Sequence, residues 1–141
     1  MRKRITSIFL MLCLIVIIFN QFTKMAQAAT KTFTLGGSSS STTYAYTTPT
    51  QKQTASQGIL LICNSITYSG GATTTCKAIA QNSASQSGTY SADSIALTYD
   101  VNINTDVRMV NGIAKSRWTR IRFAGTPCIP YTTYNVTYTH Y

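Results

Sequence analysis

Hydrophobic and polar residues alternate along most of the chain after residue 58, with the period of two that is typical of β-strands. The clearest example covers residues 95–109, where apolar side chains occupy nearly every odd position. A second run, residues 113–123, follows Asn111-Gly112, a pair that suits the positive φ angles of a type I′ turn. The two runs are therefore predicted to form one antiparallel hairpin.

Three further segments are predicted to be strands, and the first of them, residues 59–68, is strongly apolar. Residues 59–68 and 72–80 flank a Ser-Gly-Gly sequence and are predicted to pair as a second hairpin, and residues 131–141 are predicted to be the closing strand. No window repeats apolar residues at helical spacing over three turns. The sequence therefore predicts an all-β fold, namely a small antiparallel β-sandwich or a partly open barrel, of which an Ig-like arrangement is one form.

The register of the first predicted hairpin raises a difficulty. Strict pairing from its two-residue turn would place Arg120 and Arg122 on the apolar face. Burying unpaired guanidinium groups costs far more than inserting one extra residue into a strand. We therefore predict a β-bulge between Thr119 and Arg120, after which Ile121 faces the core. Trp118, which precedes the bulge, is predicted to face inward.

The first 28 residues have the organisation of a secretory signal peptide. A basic start precedes an apolar run over residues 8–19, and the small residues Ala26, Ala28 and Ala29 follow. The apolar run is shorter than the roughly 20 residues that span a bilayer as a helix. We therefore expect cleavage after Ala28 or Ala29 and secretion of the remaining chain.

Residues 29–57 are predicted to form a short strand followed by a flexible segment rich in Ser and Thr. Residues 36–57 carry too few aliphatic side chains to offset a backbone ordering cost of about 1–2 kcal/mol per residue. The alternative is an edge strand around Tyr44 and Tyr46, because Thr and Tyr suit a half-buried pleated surface. The remainder, residues 58–141, is predicted to be the β-domain.

Positive charge is concentrated in one part of the sequence. The chain has 12 Lys+Arg against 3 Asp+Glu, a formal net charge of +9. Four of the basic residues belong to the predicted signal peptide, which leaves eight against three, or +5, and five of those eight lie within residues 108–122. These five and one aromatic residue are the predicted binding residues: Arg108, Lys115, Arg117, Trp118, Arg120 and Arg122.

A basic hairpin in a sheet rich in Thr and Tyr favours contact with an anionic polymer, a glycan or a cell surface. Charges of this kind also occur simply to keep a sheet edge from aggregating. No specific nucleic-acid partner is predicted. The sequence thus suggests a secreted, non-enzymatic β-domain that binds an anionic or glycan surface. The alternatives are a membrane-active cationic toxin of bacteriocin type and a structural or adhesive subunit of a surface polymer.

Catalytic groups are scarce. The chain has no Glu, and His140 is its single histidine. A nucleophile and base pair of Cys128 and His140 lacks any accompanying oxyanion-hole sequence. Asp100 and Asp106 would lie about 20 Å apart on the predicted strand, too far for a glycosidase carboxylate pair. No catalytic residue, metal-ligand set or cofactor is predicted.

Three cysteines remain after the predicted cleavage. If Ser69-Gly70 forms a two-residue turn, Cys63 and Cys76 stand directly opposite each other, at a separation that permits a disulfide. A three-residue turn would instead direct them to opposite faces. Cys128 then pairs with one of these two, links a second chain, or stays as a buried thiol. Self-association through Cys128 or through edge strands is the corresponding expectation.

Overall fold

The computed structural model describes residues 26, 28–54, 58–70, 74–109 and 116–141. Within them the chain forms ten β-strands and no helix. The strands are β1 (Ala28–Ser38), β2 (Thr43–Tyr46), β3 (Thr50–Gln51), β4 (Ile59–Tyr68), β5 (Cys76–Ser83), β6 (Ser91–Ala92), β7 (Thr98–Val101), β8 (Asp106–Met109), β9 (Trp118–Gly125) and β10 (Cys128–His140). They make two antiparallel sheets packed together, so the prediction of an all-β fold and a small β-sandwich is confirmed.

The predicted signal peptide lies outside the described residues, apart from Ala26 and Ala28. The described part of the chain contains no helix long and apolar enough to cross a membrane.

Sheet A has four strands in the order β1, β10, β4 and β8. The long strand β10 lies inside this sheet and pairs with β1 on one side and β4 on the other. Its pairing with β1 is continuous from Ala28, opposite Thr139, to Gly36, opposite Tyr131. The first strand of the chain therefore forms one edge of sheet A.

Sheet B is built around β9 and β5, which pair along their whole lengths. Strands β2 and β3 pair with the other side of β9, and β6 and β7 pair with β5. Of the two interpretations of residues 36–57, the edge strand is therefore the one found, because Thr43–Tyr46 pairs with β9 instead of forming a flexible linker.

The core lies between the two sheets and follows from the alternation of apolar residues. In sheet A the Phe33 ring stacks on Phe123 of sheet B, with centroids 4.3 Å apart, and on Tyr134, with centroids 5.5 Å apart. Each fully buried aliphatic or aromatic side chain of this kind stabilises the fold by about 1.5–3 kcal/mol. Further buried members of the core are Leu35, Ile59, Leu61, Met109, Ile121 and Val136.

The predicted hairpin of residues 95–123 is wrong. Strand β8 pairs with β4 in sheet A, whereas β9 belongs to sheet B. The long predicted strand is interrupted after β7, where the Asn102 amide donates to the Thr105 hydroxyl at 2.7 Å and the Asn104 amide donates to the Asn102 side chain at 2.9 Å. This turn carries the chain from one sheet to the other. The predicted Asn111-Gly112 turn lies outside the described residues.

Two details of the β9 prediction are also wrong. The strand pairs with β5 without a register shift, so there is no bulge between Thr119 and Arg120. Trp118 points outward with the arginines and Thr119 points into the core. This assignment keeps Arg120 out of the core without an extra residue. Ile121 faces inward as predicted, since it is fully buried.

The predicted pairing of residues 59–68 with residues 72–80 is wrong as well, because β4 and β5 lie in different sheets. Cys63 and Cys76 nevertheless both belong to the buried core, one from each sheet. The described cysteines, including the half-buried Cys128, are free thiols in the structure.

Candidate binding face

The outer surface of sheet B carries the candidate site. Along β9, burial alternates, so that Trp118, Arg120 and Arg122 project outward while the residues between them are buried. Tyr46 lies directly opposite Arg122 on β2, so the two side chains share a face. We call this surface the basic face, and it consists of Tyr44, Tyr46, Tyr90, Trp118, Arg120 and Arg122.

Arg120 lies at the centre of the basic face and is held from three directions. Its guanidinium carbon lies 4.2 Å from the centroid of the Tyr46 ring and 4.3 Å from that of the Tyr90 ring. Its Nε donates to Gln81 Oε1 at 3.0 Å. Each cation–π contact stabilises the arrangement by about 0.5–1 kcal/mol at a partly exposed site. The guanidinium of Arg120 is thus held in place by side chains of the chain itself.

Arg122 is held less completely. Its guanidinium carbon lies 5.5 Å from the centroid of the Tyr44 ring. Its Nε is buried and has no hydrogen-bond partner among the described residues. A buried donor without an acceptor costs about 1–3 kcal/mol.

The other predicted binding residues lie elsewhere or outside the described part. Arg117 directs its Nε and Nη2 to Asn82 Oδ1, at 3.0 and 2.7 Å, and so fastens the start of β9 to β5. Arg108 lies on β8 in sheet A, with its guanidinium carbon 4.8 Å from the Tyr141 ring centroid. Lys115 lies outside the described residues. The described residues of the predicted strip are therefore divided between surfaces, and among them Arg120, Arg122 and Trp118 are brought together.

Sequence reasoning missed Tyr90 and Gln81. Tyr90 follows β5 in an irregular segment, and its hydroxyl donates to the Gln86 carbonyl at 3.0 Å. No periodicity places a residue of such a segment beside Arg120. Gln81 could have been found from its register with Arg120, but only with the knowledge that β5 and β9 are neighbours.

The single histidine is buried instead of frayed at the terminus. His140 Nδ1 lies 2.6 Å from the Thr119 hydroxyl, and burial lowers the pKa of the imidazole from 6.5 to about 4. Cys128 and His140 occupy opposite ends of β10, about 40 Å apart at 3.3 Å per residue, and so cannot act as a pair. Among the described residues, no three His, Cys, Asp or Glu side chains are grouped as metal ligands.

A cavity of about 230 Å³ opens between the sheets, away from the basic face. Cys76, Tyr134 and Val101 are among the residues that line it. Burial, with smaller contributions from Cys63 and Asp100, raises the pKa of Cys76 to about 12. The Cys76 thiol is therefore protonated at neutral pH and is a poor nucleophile.

Comparisons of this chain with protein-family models, with curated proteins and with solved structures each found no match.

Proposed function

We propose that this chain is an exported, non-enzymatic β-sandwich that binds an anionic or glycan surface through the basic face. The observation that carries the proposal is the interleaving of Arg120 and Arg122 with the rings of Tyr44, Tyr46 and Tyr90 on one outer sheet surface. Aromatic faces pack on sugar rings, and guanidinium groups form paired hydrogen bonds with carboxylate or sulfate oxygens.

The geometry of β9 supports a polymeric ligand. Arg120 and Arg122 are two residues apart on one strand, so their Cα atoms are separated by about 6.6 Å. Two positive charges at this spacing suit the repeated anionic groups of an acidic polysaccharide. Asp100, the acidic residue of neighbouring strand β7, pairs with Lys77 at 3.0 Å. The negative charge of Asp100 is therefore paired with Lys77 and not with an arginine of the basic face.

We further propose that the exported protein contains a disulfide between Cys63 and Cys76. Both side chains are buried in the core between the sheets, Cys63 from sheet A and Cys76 from sheet B. A disulfide oxidant such as oxidised glutathione would accept the two electrons, and its two sulfurs would leave as thiols while the Sγ–Sγ bond forms. The bridge would join the two sheets.

Retention on immobilised heparin tests the proposed function. We expect Arg122→Gln and Arg120→Gln each to lower the salt concentration that elutes the protein. The matched control is Arg108→Gln, which removes the same charge from sheet A. We expect its elution to change much less, because Arg108 is outside the basic face.

Thermal unfolding separates a binding defect from a folding defect, since Arg120 also contributes two ring contacts. Equal losses of retention in all three variants would mean that net charge alone causes binding. Unchanged retention in both basic-face variants would refute the proposal. A specific glycan is then sought by competing soluble polysaccharides against the heparin column.

A further inference from the structure

The free side of β1 is an open sheet edge. In an antiparallel strand the N–H and C=O groups of one residue point the same way, and the direction alternates from residue to residue. The Tyr131 carbonyl accepts a hydrogen bond from the Ser69 amide, just beyond the end of β4. The backbone N–H and C=O groups of odd-numbered β10 residues therefore point to β4, and those of even-numbered residues point to β1. In the β1–β10 register, even-numbered β10 residues lie opposite odd-numbered β1 residues. The backbone N–H and C=O groups of the even-numbered β1 residues therefore point to the open side. These residues are Ala28, Thr30, Thr32 and Thr34.

An independent contact supports this assignment. The Gly36 amide, at the end of the continuous register, donates to the Thr43 hydroxyl at 2.9 Å and so points away from β10. Gly36 has the same parity as Thr34. Among the described residues, no backbone hydrogen bond outside the strand pairings involves residues 28–35.

Among the described residues, this edge lacks the features with which proteins usually protect an exposed strand. Its register has no bulge before the shift between Gly36 and Ser38. The segment contains no proline, and Lys31 is its single charged residue. Edge strands that remain monomeric are usually short, bulged, charged or covered.

We propose that β1 pairs antiparallel with β1 of a second copy of this chain. The two-fold axis lies midway between the Thr32 residues of the two copies, which are directly opposite each other. Thr32 is the midpoint of the continuous stretch from Ala28 to Gly36, so this register pairs the whole stretch with itself. Thr30 then lies opposite the partner's Thr34, and Lys31 lies opposite the partner's Phe33. Thr30, Thr32 and Thr34 each exchange hydrogen bonds with the opposite residue of the partner, whereas the Gly36 amide stays with the Thr43 hydroxyl of its own chain.

Charge selects this register over its neighbour. Centring the pairing on residue 31 would place Lys31 directly opposite the partner's Lys31, and like charges directly opposite are destabilising. In the register centred on Thr32, Lys31 instead lies opposite the partner's uncharged Phe33, so the two lysines are not directly opposed. The central pairs, Thr30 to Thr34, are present whichever of the two expected cleavage points is used.

The dimer has a geometric consequence that extends beyond the proposed function. The two-fold axis of such a strand pair is perpendicular to the sheet, so both sheets B lie on the same side of a continuous eight-stranded sheet. Both basic faces are thereby presented in one direction. A repeating polymer could then engage two faces at once, which raises its apparent affinity without new contacts.

The oligomeric state of the full exported chain tests the proposal, measured by sedimentation equilibrium over a range of concentrations. The variant Thr32→Pro removes the central N–H donor from the open edge, a position where proline is tolerated in an edge strand. We expect the wild type to form a dimer and Thr32→Pro to be a monomer with an unchanged circular dichroism spectrum. The matched control, Thr32→Ser, retains both the N–H and the hydroxyl and should dimerise.

A cross-linking experiment tests the register even if Thr32→Pro fails to fold. Directly opposed residues have Cα atoms about 5.5 Å apart, within the range that a disulfide accepts. In a Cys128→Ser background, Thr32→Cys should therefore form a disulfide-linked dimer on oxidation, and Thr34→Cys should not. A wild type that stays monomeric, a dimer that persists in Thr32→Pro, or cross-linking through position 34 instead of position 32 would overturn the proposal.

Discussion

His140 shows how a residue near the end of the chain can be part of the core. Its ring packs edge-on against Tyr138, with centroids 5.5 Å apart, and its Nδ1 lies beside the Thr119 hydroxyl. Its Nε2 is buried and has no hydrogen-bond partner among the described residues. Protonation would place a charge in this apolar setting, which is why burial lowers the pKa of the imidazole to about 4.

The lowered pKa predicts a loss of stability in acid. Between pH 6.5 and about 4 the unfolded chain binds a proton at His140 and the folded chain does not. The free energy of unfolding therefore falls as the pH drops through this window, by up to about 3 kcal/mol. Urea unfolding followed by Trp118 fluorescence at several pH values measures the loss.

The variant His140→Gln separates this effect from the titration of the aspartates. It should be less stable than the wild type at neutral pH, yet its stability should depend less on pH between 6.5 and 5. Parallel stability curves for the two proteins would contradict the assignment of the effect to His140.

At the scale of single strands, the sequence predicted which side chains face the core better than it predicted which strands pair with each other. In the run of residues 113–123, the cost of burying arginine correctly assigned Ile121 to the core, although through a bulge that is not present. The alternative of an edge strand around Tyr44 matches β2. Alternation cannot say which strand lies beside another, because every strand with one apolar face satisfies the same rule. The Asn111-Gly112 sequence favours a local hairpin. In the structure the apolar faces of β8 and β9 are instead buried from opposite sides of the core, because β8 belongs to sheet A and β9 to sheet B.

The candidate site was predictable only in part for the same reason. Residues 108–122 contain most of the positive charge of the predicted mature chain, and Arg120 and Arg122 do share an exposed face. Arg108 does not share this face, because its strand β8 belongs to sheet A. Tyr90 joined it through an irregular segment whose path depends on tertiary packing.

A further prediction concerns Cys63 on β4 and Cys76 on β5. We expect the exported protein to have one free thiol, Cys128, and a disulfide between Cys63 and Cys76. The bridge closes a short loop, so reducing it should lower the free energy of unfolding by about 3 kcal/mol or less on the chain-entropy model. Alkylation in denaturant, with and without reductant, followed by mass spectrometry counts the thiols. Three alkylated cysteines without reductant would contradict the prediction.

At the scale of the whole molecule, the two outer surfaces differ in chemistry. The outer surface of sheet A carries hydrogen-bonded polar side chains, as in the pairs Thr30–Thr137 at 3.3 Å, Thr34–Thr133 at 3.0 Å and Asn64–Asn135 at 2.7 Å. The outer surface of sheet B carries the arginines and tyrosines of the basic face. Because the arginines and tyrosines of the basic face are concentrated on the outer surface of sheet B, they would hold an anionic surface in one orientation. Pairing through β1 would preserve that orientation in a dimer.

The same asymmetry separates surface binding from membrane disruption, which is the alternative suggested by the net charge. Disruption would require residues 36–57 to leave the fold and insert. Within that segment, β2 and β3 pair with β9, and Tyr46 contacts Arg120. Refolding of the segment would therefore break sheet B and the basic face together.

We accordingly expect the protein to bind anionic liposomes without releasing an encapsulated dye at low micromolar concentration. Arg122→Gln should weaken binding and Arg108→Gln should weaken it less, as on heparin, because attachment through the basic face needs the folded sheet. A pore-forming peptide provides the positive control for release. Dye release by the wild type would contradict this prediction and favour the toxin alternative, because inserted segments, unlike a bound β-sandwich, open the bilayer.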